Sequence, residues 1–179
     1  MGTFEVTESG LLVSFSFKID DIFADAARIS AIRTKNVVDE KGVNAFSARL
    51  SEDERPMFEN ILPDICDNIW TRLEVYAKRN NGDYRYNVEL FDLAEAPLGF
   101  FVVYDVNMGL NYDSKNVAIL DRIISRAITS GVLGEYFDKI GQGLLSQTYH
   151  LEYNSHLSLL HSLLLKRIAA IKRSTSFFS

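Results

Sequence analysis

The chain has 179 residues and a formal net charge of −5, with 47 % hydrophobic and 24 % charged residues. These are globular averages, and they exclude a disordered chain, which would carry fewer apolar residues and more net charge. Ten glycines and three prolines exclude a collagen-like repeat, and a single cysteine excludes a disulfide scaffold.

The length suits one domain over residues 1–179, able to bury about 70 % of its unfolded surface without a metal or a staple. In chain order, residues 3–8 and 11–18 read as strands. Leu11, Val13, Phe15 and Phe17 alternate with Leu12, Ser14, Ser16 and Lys18, and Ser9-Gly10 marks a tight turn between them. A helix over 21–34 follows, capped by Asp20 or Asp21, with Ile22, Phe23, Ala26, Ala27 and Ile29 on its apolar stripe. Residues 35–50 have no clear period and read as a loop. Ser51 and Glu54 have capping-box spacing. Apolar residues then recur at helical spacing from Phe58 to Tyr76. Pro63 lies inside that run and predicts either a kink or two helices meeting near residue 62.

Tyr84, Tyr86, Val88 and Leu90 alternate as a third strand. Phe100–Val106 is nearly all apolar, the pattern of a fourth strand covered on both faces. The remainder predicts three helical segments, with breaks at Gly131 and Gly134 and again at Gly141 and Gly143. The expected fold is α+β: a small antiparallel sheet of two hairpins and about four strands, packed with helices and ending in a long apolar C-terminal helix.

Compartment signals are few. Residues 1–10 have no basic residue and predict no secretory signal, and Val6 stands where a myristoylation motif needs Ser or Thr. No uncharged apolar run is long enough to span a membrane. With one cysteine, these features predict a reducing, cytoplasmic setting.

Catalytic and cofactor patterns are missing: no P-loop, dinucleotide fingerprint, nucleophile elbow or paired metal-ligand motif occurs. No catalytic residue, cofactor or metal is therefore expected, and no small-molecule substrate is identified. Gly131-Val132-Leu133-Gly134 has the spacing of a KH-type loop without its basic residues. Pro63-Asp64 matches half of a nuclease pattern whose second half is absent. His150, His156 and His161 are spaced so that they do not share a helix face. Cys66 lies on an apolar face beside Asp64 and Asp67, the setting of an inert core thiol. Tyr84, Tyr86, Phe100, Phe101 and Tyr104 lack the basic neighbours that a base-stacking sheet needs.

Charge is uneven: residues 1–100 hold 18 acids against 11 bases, and residues 101–179 hold 6 against 8. Lys166, Arg167, Lys172 and Arg173 suit a helix C-terminus better than a nucleic-acid track. Residues 144–173, as one helix, extend about 45 Å, against a radius of gyration of about 16 Å for a domain of this length. Its second half is apolar almost all round and needs cover on every side. Leu157, Leu160, Leu164, Ile168 and Ile171, with Phe177 and Phe178 in the tail, are the expected interface residues. The leading expectation is a non-enzymatic structural or adaptor subunit that self-associates or joins a larger protein assembly, of which virion or mobile-element assembly is the most specific setting. An enzyme or ligand-binding domain built on Glu89, Asp92, Tyr104, Asp105 or His150 is the alternative. It requires two or more of these to meet in one concave site. Nucleic-acid binding through the basic C-terminal group is a minor alternative.

Overall fold

Leu11, Val13, Phe15 and Phe17 turn into the core from one strand while the residues between them stay half-buried, and this alternation sets the architecture. The computed structural model describes residues 3–7, 10–34, 50–79, 84–89, 101–108 and 116–175. Strand β1 (Thr3–Thr7) pairs antiparallel with β2 (Gly10–Lys18), with Thr7 opposite Gly10. Gly10 has φ 139°, a conformation that other residues rarely take. Strand β3 (Tyr84–Glu89) pairs antiparallel with β4 (Phe101–Asn107), and β4 pairs antiparallel with β2, so the order across the sheet is β1-β2-β4-β3. The fold is α+β with a small antiparallel sheet.

The apolar run 100–106 predicted a strand buried on both faces. In β4, Val102, Tyr104 and Val106 are buried, while Val103 and Asp105 are only half-buried. An antiparallel sheet needs cover on one face only, and helices supply it there.

Helix α1 (Ile19–Thr34) starts directly at the end of β2, with Asp20 and Asp21 in its first turn, where acids favour the helix dipole. Ile19, Ile22, Phe23 and Ala26 are buried. The predicted loop 35–50 lies outside the described residues except for Leu50, which is buried and donates its N–H to Ser30 Oγ at 3.2 Å.

A 3-10 turn (Glu52–Glu54) leads into helix α2 (Arg55–Arg79). The Glu54 carboxylate accepts the Ser51 N–H at 2.8 Å and the Ser51 hydroxyl, so the capping-box spacing is used. Helix α2 is one helix with Pro63 inside it, not two. Phe58, Ile61, Leu62, Ile65, Cys66, Ile69 and Leu73 are all buried along its inner face. Seven buried side chains, at about 1.5–3 kcal/mol each for the large ones, outweigh the loss of one helical donor. Arg55 joins the two helix starts: it pairs with Asp20 and with Glu59 (3.0 Å) and lies 5.1 Å from the Phe23 ring centre.

Helix α3 (Val117–Lys139) runs through Gly131 and Gly134 without a break, so the predicted segments are two helices, not three. Both glycines are notches for close packing. A Cβ at Gly131 falls 2.8 Å from Ile65 Cγ2 and 3.0 Å from the Tyr153 ring, and one at Gly134 falls 2.9 Å from His150 Nδ1. The real break is Gly141, with φ 75°. There the Gln142 N–H donates to the Phe137 carbonyl (2.8 Å) and the Gly141 N–H to the Asp138 carbonyl (3.0 Å), a Schellman closure.

Helix α4 (Gly143–Thr175) turns back along α3. All-round burial was expected in its second half. Among the described residues, the helix buried on all sides is α3, where residues 127–134 are consecutively buried. Helix α3 has α1, α2, α4 and β2 around it. In α4 burial is one-sided as far as the side chains are described, through Leu164: Leu145, Tyr149, Tyr153, Leu160 and Leu164 face in.

Candidate functional site

Two surfaces of the helical layer carry features that packing alone does not use. The first is a cleft of about 960 Å³ between α1, α3 and α4. Helix α3 lines it with a stripe at helical spacing that includes Asp121, Arg122, Ser125, Arg126, Thr129 and Ser130. Helix α1 contributes Arg28 and Arg33, and α4 contributes Tyr149, Glu152 and His156. Four arginines thus face three carboxylates, counting Asp25.

Two of the arginines are already neutralised. Arg28 pairs with Asp25 at 3.1 Å, and Arg33 pairs with Glu152 while lying 5.1 Å from the Tyr149 ring centre. Arg122 and Arg126, one turn apart on α3, pair with no carboxylate among the described residues.

Ser130 Oγ donates to the Arg126 carbonyl at 2.7 Å and lies 3.3 Å from His156 Nδ1. With the serine proton on that carbonyl, the pairing corresponds to a neutral His156 protonated at Nδ1, which leaves Nε2 as an acceptor. Burial pushes the His156 pKa below its ordinary value, opposed by Glu152 and aided by Arg126. The serine is mid-helix and bonded to its own backbone, so the pair is not an activated nucleophile.

Burial pushes the Tyr149 hydroxyl up to about 12, so it keeps its proton. That hydroxyl and Asp121 Oδ1 are closed off from solvent and have no hydrogen-bond partner among the described residues. Such atoms cost about 1–3 kcal/mol each when unsatisfied.

The second surface is the outer side of α4. Leu144, Leu151 and Leu159 are 68 %, 72 % and 47 % exposed and fall on the side opposite the buried residues. Between residues 140 and 165 the chain has a single charged residue, Glu152, and it is engaged by Arg33. A solvent-facing helix side normally carries charges, and their depletion is the mark of interface cores.

The expected interface residues divide. Leu160 and Leu164 are buried in the chain's own core, and Leu157 packs partly against it. The side chains of Ile168 and Ile171 lie outside the described residues, as do Phe177 and Phe178 and the basic group 166–173. The leucines that do face outward, Leu144, Leu151 and Leu159, escape a reading based on local hydrophobicity alone. Helical phase separates them: the inward set repeats from Leu145 and the outward set from Leu144.

The described residues of the alternative site do not meet. Tyr104 is buried under α2, donating to the Cys66 carbonyl at 3.0 Å and stacked on Trp70. Asp105 points to the other face of the sheet, and His150 packs at Gly134, 3.9 Å from Glu135. None of the three lines the cleft. Asp92 and the side chain of Glu89 lie outside the described residues. Cys66 is fully buried, and desolvation, aided by Asp67, pushes its thiol up to about 12. The KH-type spacing at Gly131–Gly134 is buried helix and offers phosphate no loop. The three histidines have separate surroundings: His150 at Gly134, His156 in the cleft and His161 exposed.

No helix among the described residues is long and apolar enough to cross a membrane. Comparison with protein-family models, curated proteins and solved structures finds no match to this chain.

Proposed function

We propose that this protein is a non-catalytic assembly subunit that associates with a second copy of itself through the outer side of α4. The carrying observation is the uncharged, leucine-bearing side of a long surface helix. A monomer gains nothing from leaving three leucines in water along about 22 Å of helix. The stripe is also self-complementary. In an antiparallel pair of α4 helices, Leu144 of one copy meets Leu159 of the other, with the two Leu151 side chains near the two-fold axis. That is the condition an isologous dimer imposes. The polar residues between the leucines, such as Thr148, Ser155 and Ser158, are small enough for close approach.

The test is solution mass. The wild-type chain is expected to show concentration-dependent association, and L144E/L151E/L159E is expected to be monomeric with an unchanged helical spectrum. A wild-type chain that stays monomeric at every concentration overturns the proposal.

A further inference from the structure

We infer that the α1–α3–α4 cleft is a binding site for a phosphomonoester of a hydroxyl-bearing small molecule, of the sugar-phosphate or nucleoside-monophosphate class. This inference does not rest on the assembly reading: its anchoring arginines are on α3, and the cleft meets the outer side of α4 at Ser155.

Three observations carry it. First, Arg122 and Arg126 stand one turn apart on the cleft wall with no carboxylate partner among the described residues, while Arg28 and Arg33 are held by Asp25 and Glu152. Two guanidinium forks five to six ångströms apart at their Cβ atoms (about one helical turn) suit the several oxygens of one phosphate, which accept paired N–H bonds. Second, Asp121 lines the same wall, and its carboxylate pairs with no cation among the described residues. Inorganic phosphate satisfies the arginines and leaves Asp121 wanting a donor. A ligand with an anionic end and hydroxyl or amine groups on its body satisfies both. Third, the cleft volume of about 960 Å³ is at the upper end of small-molecule sites, and Ile29 and Leu133 give it apolar patches.

Asp121 opposes part of the arginine charge, and this sharpens the ligand class. A bare polyanion is disfavoured beside a carboxylate, whereas a single phosphate joined to a donor-rich body places each charge against its complement.

The experiment is calorimetric titration of the full chain with ribose 5-phosphate, adenosine 5′-monophosphate, adenosine and inorganic phosphate, with amide chemical shifts followed in parallel. At least one of the two phosphomonoesters is expected to bind about tenfold or more tightly than adenosine or inorganic phosphate. Its shifts are expected within residues 118–130 and 149–156. Preference between the two esters distinguishes a sugar phosphate from a nucleotide. R122Q/R126Q is expected to lose about tenfold or more in affinity while keeping its fold, since both side chains are exposed. Absence of heat and shifts with either ester at about 10 mM overturns the inference. So does undiminished binding by R122Q/R126Q, or inorganic phosphate binding as tightly as the esters.

Discussion

Gly131 and Gly134 are the same residue on the same helix, three positions apart, and the structure assigns them different costs. At Gly131 a new methyl meets the β-branch of the buried Ile65 and the ring of Tyr153. Gly131→Ala is expected to cost about 1–3 kcal/mol in urea denaturation. At Gly134 the obstacle is the imidazole of half-buried His150, which can swing away. Gly134→Ala is therefore expected to be neutral or to gain up to about 1 kcal/mol from helix propensity. Equal costs at the two positions contradict the packing described. Read as punctuation in the sequence, both glycines mark helix ends; the side chains that fill the notches come from α2 and α4, which no local window contains. His156 carries a pH dependence with a definite sign. Its folded pKa is lowered from 6.5, so the stability it supports is present above about 6.5 and is lost as pH falls through the lowered folded value. Wild type is expected to lose more stability than His156→Gln between about pH 7.5 and 5, measured by urea midpoint, with Ser130, Glu152 and Arg126 as the groups around the ring. Parallel losses in the two proteins contradict this. The Cys66 thiol, buried and pushed up to about 12, is expected to stay unreactive toward a thiol reagent near pH 8 until the chain unfolds.

At the scale of elements, α4 is divided lengthwise. Leu160→Ala on the inner side is expected to cost about 2–5 kcal/mol, whereas Leu151→Glu on the outer side is expected to change monomer stability by less than about 0.5 kcal/mol. Thermal or urea unfolding of the two variants checks the division, and similar losses in both contradict it. The strands β1 and β2, the capping-box entry to α2 and the apolar face of α2 were legible because each rests on local chemistry: a period of two, a Ser–Glu spacing, an i, i+3, i+4 series. The passage through Pro63 was not, since its cost is local and the burial that offsets it is not. The cleft stripe on α3 was written in the sequence as polar residues at helical spacing from Asp121 to Ser130, but the walls that make it concave come from α1 and α4, which no local window contains.

For the whole molecule, the even composition conceals where charge is missing. A chain with 24 % charged residues has one charged residue between positions 140 and 165, and the fold turns part of that stretch outward. Among the described residues the helix buried on all sides is α3, and the inward turn of Leu160 and Leu164 moves the proposed interface to Leu144, Leu151 and Leu159. The cleft and the outer side of α4 adjoin at Ser155, but the anchoring arginines lie on α3, so loss of association is not expected to abolish ligand binding. The most direct measurement is sedimentation equilibrium of the wild-type chain beside L144E/L151E/L159E across a wide concentration range. The account predicts a wild-type mass rising from the monomer value of 20.3 kDa toward twice that value, with the variant fixed at the monomer. A wild-type mass that stays at the monomer value throughout, or a variant that associates equally, contradicts it.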